Sequence, residues 1–240
     1  MSQMMKTSEH LSRALADSPM PSLQYENRRV FVDSLRFGHA LMVATETLLE
    51  EAAARLPPGR LRAYYVEQLE QEHRCAGWLT EDLAFLGVMP ATHQRAAMLA
   101  GSQYYHVRHT APEMLLGYMA ALAHRPAPPA ILDALTALYG ASAMRTIAYD
   151  AEHHREHSAQ LLDEIDALPA DLGGLVVYNA YNSAQLLRIC FADIGRVPLP
   201  DLRRQVAEDA MGLLRPARFS LASGVPDPAL FTATPSGPHS

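Results

Sequence analysis

Residues 61–90 read LRAYYVEQLEQEHRCAGWLTEDLAFLGVMP and predict one long α-helix with a defined end. The helical pattern runs from about Leu61 to Leu86, Gly87 is a candidate left-handed cap, and Pro90 stops the helix. Inside it, Glu70 and His73 are three residues apart and are therefore neighbours on one helix face. Helical bundles use a carboxylate and an imidazole at this spacing to present two ligands to one metal ion.

Helical periodicity extends outward from this stretch in both directions. Pro57, Pro58 and Gly59 separate it from a preceding helix, because proline disfavours helix in the residue before it and cannot continue one. No alternating runs rich in Val and Ile lie between turn signals, so the prediction is an all-α bundle of five to seven helices. The other predicted helical regions are 25–55, 93–123 with a break near 109–113, 130–168 with a kink at Gly140, 172–194 and 201–214.

The chain of 240 residues is long enough for one domain or two small ones. Residues 1–24 are polar with scattered Pro and Ser, and we expect a flexible segment there. Residues 25–215 are predicted to form a single helical-bundle domain. Residues 216–240 are rich in Pro, Ser, Gly and Thr, and we expect an extended or disordered tail.

The composition excludes several functional classes. Hydrophobic residues make up 49% and charged residues 19%, which is ordinary for a globular chain, and the formal charge is -6. The sequence has no basic run and no apolar stretch of about 20 residues, so we expect neither a nucleic-acid partner nor a membrane span. The N-terminus lacks a secretory signal pattern, and two distant cysteines form no disulfide framework. We therefore expect a cytoplasmic protein.

A second pair with the same spacing lies in the predicted 130–168 region. Asp150 and His153 repeat the carboxylate–x–x–His pattern, and His157 continues the stripe at i, i+3, i+7. Two such pairs on separate long helices predict a centre for iron, manganese or zinc. The alternative is a solvated helix face, because Glu152, Arg155 and Glu156 surround these histidines with mixed charge.

Glu46 is a candidate ligand from the first long helix. It lies twelve residues before Pro58, and Glu70 lies twelve residues after it. In an antiparallel hairpin such positions are level, so Glu46 can face the Glu70 and His73 pair. Its alternative role is a carboxylate at the edge of the apolar stripe that reaches solvent.

Arg188 is a lone charge in an apolar run, Leu186 to Phe191. Such a residue either extends its charged end to solvent or pairs with a buried group, such as the carboxylate of a substrate. Arg188 is therefore a candidate substrate-binding residue.

Three blocks of the sequence form a recognisable set. The first is Glu70-x-x-His73 followed by the residues from Trp78 to Gly87. The second runs from Tyr104 to Ala120 and contains Leu115-Leu116-Gly117-Tyr118. The third is Asp150-x-x-His153 followed by Leu161 and the residues 165–169. Together the blocks resemble the heme-oxygenase-like diiron oxidases, a family of iron-containing redox enzymes, and the resemblance covers about residues 40–170.

The resemblance implies a heme-oxygenase-like up-down bundle of about seven helices. It also implies non-heme Fe(II), usually two ions, and O2-dependent oxidation of a small molecule that is amino-acid-like or fatty-acid-like. Two positions depart from the family pattern, since Ala123 replaces an expected Glu and Thr146 an expected His. The sequence therefore leaves open whether one, two or no metal ions bind.

The leading functional prediction is an iron-dependent oxidase or oxygenase. Its catalytic residues and iron ligands would be Glu70, His73, Asp150 and His153, with Glu46 and His157 as further ligands. Its partners would be O2, a small-molecule substrate and, if the chain is not a monomer, a second copy in a two-fold homodimer. Two alternatives stay open: a metal-free thiaminase-like or synthase-like member of the same fold, and a non-catalytic helical binding protein.

Overall fold

The computed structural model describes residues 6–16, 18, 20–124 and 129–195. Throughout that part of the chain the regular structure is helical, and none of it is a strand. The prediction of an all-α protein is thereby confirmed. The α-helices are α1 (Thr7–Ala16), α2 (Arg28–Arg55), α3 (Arg60–Phe85), α4 (Gln94–His109), α5 (Leu115–Ala123), α6 (Pro129–Tyr139), α7 (Arg145–Asp166) and α8 (Ala170–Ile194).

Helices α2 and α3 form the predicted antiparallel hairpin. The Asn27 side chain caps α2 by accepting a hydrogen bond of 3.0 Å from the Arg29 backbone N–H. Helix α2 ends at Arg55, just before the two prolines. His39 Nε2 on α2 lies 2.9 Å from Thr80 Oγ1 on α3, so these two residues are at the same height in the hairpin.

The end of α3 follows the predicted cap. Gly87 has a φ of 71°, a left-handed conformation that a residue without a Cβ adopts at no steric cost. The backbone N–H groups of Gly87 and Val88 donate to the carbonyls of Ala84 and Leu83 at 2.9 and 3.0 Å. These bonds satisfy carbonyls that the helix end would otherwise leave without partners.

Two predicted helical regions are each divided in the structure. The region 93–123 is divided between α4 and α5, with a short 3-10 turn at Pro112–Met114, as the sequence predicted. The region 130–168 was predicted as one helix with a kink at Gly140. It is instead two helices, because Gly140 has a φ of 86° and is followed by a 3-10 turn at Ala141–Ala143.

The prediction of a flexible segment over residues 1–24 is wrong for residues 7–16. These residues form α1, and Leu11 and Leu15, one helical turn apart, are buried in the main core. Ser8 anchors the helix to the end of α7, since its backbone N–H and its hydroxyl donate to the Asp166 carboxylate at 2.9 and 2.8 Å. The bundle therefore begins before residue 25.

Helix α5 passes through the centre of the bundle, and every residue from Leu115 to Ala121 is buried. Its closest neighbour is α8. A Cβ built on Gly117 would lie 2.2 Å from the Val176 carbonyl oxygen and 2.8 Å from the Ala180 nitrogen. Glycine is thus required for the distance at which these two helices pack.

Both cysteines, Cys75 and Cys190, are buried free thiols. Among the described residues, no helix has both the length and the apolar character needed to cross a bilayer. The predicted helix at 201–214 and the predicted tail at 216–240 lie outside the described residues.

Candidate functional site

A cavity of about 240 Å³ lies between α2, α3, α5 and α7. Its apolar wall comes mainly from Leu41, Met42, Met119, Leu122 and Leu161. Its polar lining is unusually rich in groups that can bind a proton or a metal ion. The polar residues are Thr45, Tyr64, Gln68, Gln71, Glu72, Asp150, His154 and His157.

Helix α3 presents Glu72 to the cavity and leaves Glu70 out of it. Gln68 and Glu72 are one turn apart and line the cavity, whereas Glu70 is exposed, and the His73 side chain is 80% exposed. The two predicted ligands of α3 thus lie on its solvent side. The carboxylate that the structure brings to the site is the one between them in sequence.

Helix α7 presents Asp150, His154 and His157, spaced i, i+4 and i+7, to the cavity. The predicted set was Asp150, His153 and His157. His153 is not among the lining residues. Its Nδ1–H donates to the Tyr149 carbonyl at 2.9 Å, and its ring stacks on the Tyr149 ring with the centroids 4.1 Å apart.

The cavity concentrates negative charge. Burial, followed by the charges of Asp150 and Glu46, raises the pKa of Glu72 to about 7. Asp150 lies at the mouth of the cavity. Although the residue as a whole is exposed, the protein around its carboxylate removes enough water to raise its pKa, and His154 and His157 oppose that shift. The site therefore favours either a proton or a bound cation at neutral pH.

The imidazole of His157 is held by Gln71. The Gln71 Nε2 and His157 Nδ1 atoms are 3.0 Å apart, so the amide N–H donates and the ring nitrogen accepts. Desolvation by burial lowers the pKa of His157, which favours the neutral ring. A metal bound at Nε2 would require the Gln71 amide to turn over, so that its oxygen accepts a hydrogen bond from Nδ1–H.

The structure does bring Glu46 and His73 together, at the level that the hairpin geometry predicted. Glu46 Oε2 lies 3.2 Å from His73 Nδ1. The contact is on the outside of the hairpin, where such a pair adds little stability. Glu46 contributes to the site through its charge, since it raises the pKa of Glu72.

Arg188, the predicted substrate-binding residue, lies elsewhere. It is buried on α8, does not line the cavity, and donates from Nη1 to Gln185 Oε1 at 2.9 Å. Gln185 in turn donates to the Ser18 hydroxyl at 2.9 Å. In this structure Arg188 belongs to a buried polar network that joins α8 to the segment after α1.

The two positions that depart from the family pattern supply no acidic or imidazole donor. Ala123 lines the cavity, and Thr146 is buried with its backbone N–H donating to Asp82 Oδ2 at 2.9 Å. Within the part of the chain that the structure describes, no three His, Cys, Asp or Glu side chains lie close enough to hold a metal ion as they stand.

Glu72 and His154 are the site residues that the sequence reasoning missed. The apolar stripe of each helix could have identified them. On α7, His157, His154 and Asp150 precede the buried Leu161 at helical spacing and therefore lie on the same face. On α3 the stripe of Leu83, Leu79 and Cys75 reaches Glu72 in the same way, and it does not reach Glu70.

No protein-family model matches the chain, and the comparisons with curated proteins and with solved structures also found no match.

Proposed function

We propose that the chain is a non-heme iron-dependent oxidoreductase that uses O2 to oxidise a small molecule in this cavity. The iron ligands would be Glu72 from α3 with Asp150, His154 and His157 from α7. The observation that carries the proposal is that two carboxylates and two imidazoles on facing helices line one cavity. The fold proposed with it is the heme-oxygenase-like bundle that the sequence resembles.

The donor set fits iron by its chemistry. Carboxylate oxygens and neutral imidazole nitrogens suit Fe(II). Asp150 and Glu46 each repel the charged form of Glu72, and a divalent cation would offset that repulsion. In this structure the four side chains do not meet at one position, so they would have to change rotamer to bind a single ion. Because Ala123 and Thr146 offer no such donor, we propose a single iron ion rather than two.

Iron bound here would supply the activation of O2. The residues of the chain would bind and orient the substrate. Leu41, Met42, Met119 and Leu122 would hold the apolar part of the substrate and exclude water, while Gln68 and Tyr64 offer hydrogen bonds that orient its polar end. Two buried free thiols agree with a reducing cytoplasm as the place of action.

The test is iron content after anaerobic loading with Fe(II), compared between matched variants. Glu72→Gln and His154→Ala remove residues of the cavity. Glu70→Gln and His153→Ala remove the same chemical groups from neighbouring positions that do not line it. We expect the first two variants to lose iron and the second two to keep it. Iron retained in Glu72→Gln but lost in Glu70→Gln would overturn the proposed ligand set.

A second candidate function rests on the pKa of Glu72. A carboxyl group with a pKa of about 7 is well suited to general acid–base catalysis without a metal, as in a thiaminase-like or synthase-like member of the same fold. The two functions differ in one measurement. If the wild-type chain takes up no iron, while Glu72→Gln still abolishes conversion of a substrate, the metal-free function is the correct one.

A further inference from the structure

The cavity between α2, α3, α5 and α7 carries negative charge that no cationic side chain offsets. Glu72 and Asp150 line it, and the charge of Glu46 acts on Glu72 from α2. No lining residue is a Lys or an Arg, and among the described residues neither Glu72 nor Asp150 forms an ion pair with one. Carboxylates withdrawn from water are usually paired with a cation. A ligand of positive charge would supply that partner.

Gln68 provides a second, independent observation. Its side chain lines the cavity one helical turn before Glu72, and the residue is only 6% exposed. Its amide makes no hydrogen bond to any other described residue, whereas the Thr45 hydroxyl in the same cavity lies 3.0 Å from the Tyr118 hydroxyl. Because a buried amide without a partner costs free energy, the Gln68 oxygen is available to accept a hydrogen bond from a ligand.

The remaining wall of the cavity limits the size and the shape of such a ligand. The cavity volume of about 240 Å³ corresponds to about eight non-hydrogen atoms, since one water molecule takes about 30 Å³ in the liquid. The apolar part of the wall is aliphatic rather than aromatic, and it consists mainly of Leu41, Met42, Met119, Leu122 and Leu161. A short hydrocarbon chain fits this part of the lining.

We propose that the cavity binds a small aliphatic amine in its ammonium form. This inference rests on the proposed function, for which it names the substrate class. An ammonium group has three N–H donors, and Glu72, Asp150 and Gln68 offer it three acceptors at the polar end of the cavity. Hydrogen bonds between an ammonium group and carboxylates are about twice as strong as those between neutral groups. The hydrocarbon chain would lie against Leu41 and Met119.

The same lining disfavours a ligand that carries a carboxylate. Arg188, the residue predicted to bind a substrate carboxylate, does not line the cavity. The carboxylate of an amino acid or a fatty acid would instead meet the like charges of Glu72 and Asp150. A divalent iron ion would offset two of the three formal charges of Glu72, Asp150 and Glu46, so the net charge of the site would stay negative with iron bound.

The test is isothermal titration calorimetry of the full-length chain, without added metal, at pH 8. At this pH Glu72 is ionised because its pKa is about 7, and an alkylamine is protonated. The probes are hexylamine, hexanol and hexanoate, which share a hydrocarbon chain and differ in charge. We expect hexylamine to bind at least about tenfold more tightly than hexanol, and hexanoate more weakly than either. Norleucine, which is pentylamine with an added carboxylate, should bind more weakly than pentylamine.

Two matched variants locate the binding site. Glu72→Gln keeps the shape of the side chain and removes its charge, so we expect it to weaken hexylamine binding about tenfold and to leave hexanol binding unchanged. Glu70→Gln makes the same chemical change at an exposed position of α3, and we expect it to keep the wild-type preference.

Equal affinity of the wild type for hexylamine and hexanol would overturn the inference, as would an equal loss of hexylamine binding in the two variants. If the chain nevertheless takes up iron that is lost in Glu72→Gln, the proposed function stands without this substrate class. Selective amine binding that depends on Glu72, in a chain that takes up no iron, would support the inference and overturn the iron-dependent function.

Discussion

Burial raises the pKa of Glu72 on α3 to about 7, and the negative charge of Asp150 on α7, on another wall of the same cavity, adds to that shift. The two residues come from helices that are far apart in the sequence. The raised pKa of Glu72 has a consequence for stability.

The contribution of Glu72 to the stability of the metal-free chain should decrease as the pH rises from about 4.5 to about 7. In this window the folded chain keeps a proton on Glu72 that the unfolded chain releases, because its pKa is raised from 4.5 to about 7 by folding. Glu72→Gln removes this contribution, so at pH 8 it should be more stable than the wild type, by on the order of 3 kcal/mol. Urea unfolding of both proteins across the pH range measures the difference.

Glu70→Gln is the control for this titration. Glu70 is exposed on the same helix two residues away, and its replacement should change the unfolding free energy by only a small amount. If Glu70→Gln removed the pH dependence and Glu72→Gln did not, the assignment of the cavity carboxylate would be wrong.

Gly117→Ala should destabilise the bundle by about 1–3 kcal/mol, the usual range for overpacking a core. The added Cβ would lie 2.2 Å from the Val176 carbonyl oxygen, so α5 and α8 must separate. Gly101→Ala, on α4, is the opposite case because nothing lies within 4 Å of its Cβ position, and a helical alanine there should stabilise slightly. Thermal unfolding of both variants, followed by circular dichroism, should give shifts of opposite sign.

Leu11→Ala tests whether α1 belongs to the bundle. Leu11 is 1% exposed, and truncating a buried leucine costs about 2–5 kcal/mol. Leu138→Ala serves as the reference, since Leu138 is 57% exposed and its truncation should change the unfolding free energy little. Equal unfolding free energies for the two variants in urea would mean that residues 7–16 contribute no packing, as the sequence alone had suggested.

Arg188→Leu should lower stability without changing the cavity. The substitution removes the donor that Arg188 supplies to buried Gln185, and a buried polar group left without its partner costs about 1–3 kcal/mol. Chemical unfolding should show the loss, while iron loading stays at the wild-type level. Reduced iron loading in a variant of unchanged stability would instead support a role for Arg188 at the site.

Most of the fold could be predicted because its breaks depend on local backbone chemistry. Gly87 and the two prolines at 57 and 58 end helices for reasons that act within a few residues, and the structure confirms both ends. Residues 7–16 were harder to predict. This polar segment contains only two leucines, Leu11 and Leu15, at helical spacing. It becomes a buried helix because Asp166 and the core lie beside it.

The structure places the predicted site residues in two different environments. Asp150 and His157 line the cavity, whereas Glu70 and His153 do not. A carboxylate–x–x–His spacing shows that two side chains share a helix face, and it does not say which face packs inward. Residues one or two positions apart on a helix differ in direction by about 100° or 200°, so a shift of one or two residues exchanges a ligand that faces the cavity for one that does not.

The amino-acid sequence by itself determined that the chain is helical, where most of its helices end, and which two helices carry the carboxylates and imidazoles. These properties follow from periodicity and from the fixed or free φ of proline and glycine. Only the tertiary structure decided that Glu72 and His154, rather than Glu70 and His153, line the cavity. The choice is made by the apolar stripes of α3 and α7, which bury the most surface when Leu79, Leu83, Leu161 and Ile165 pack inward and which rotate each helix accordingly.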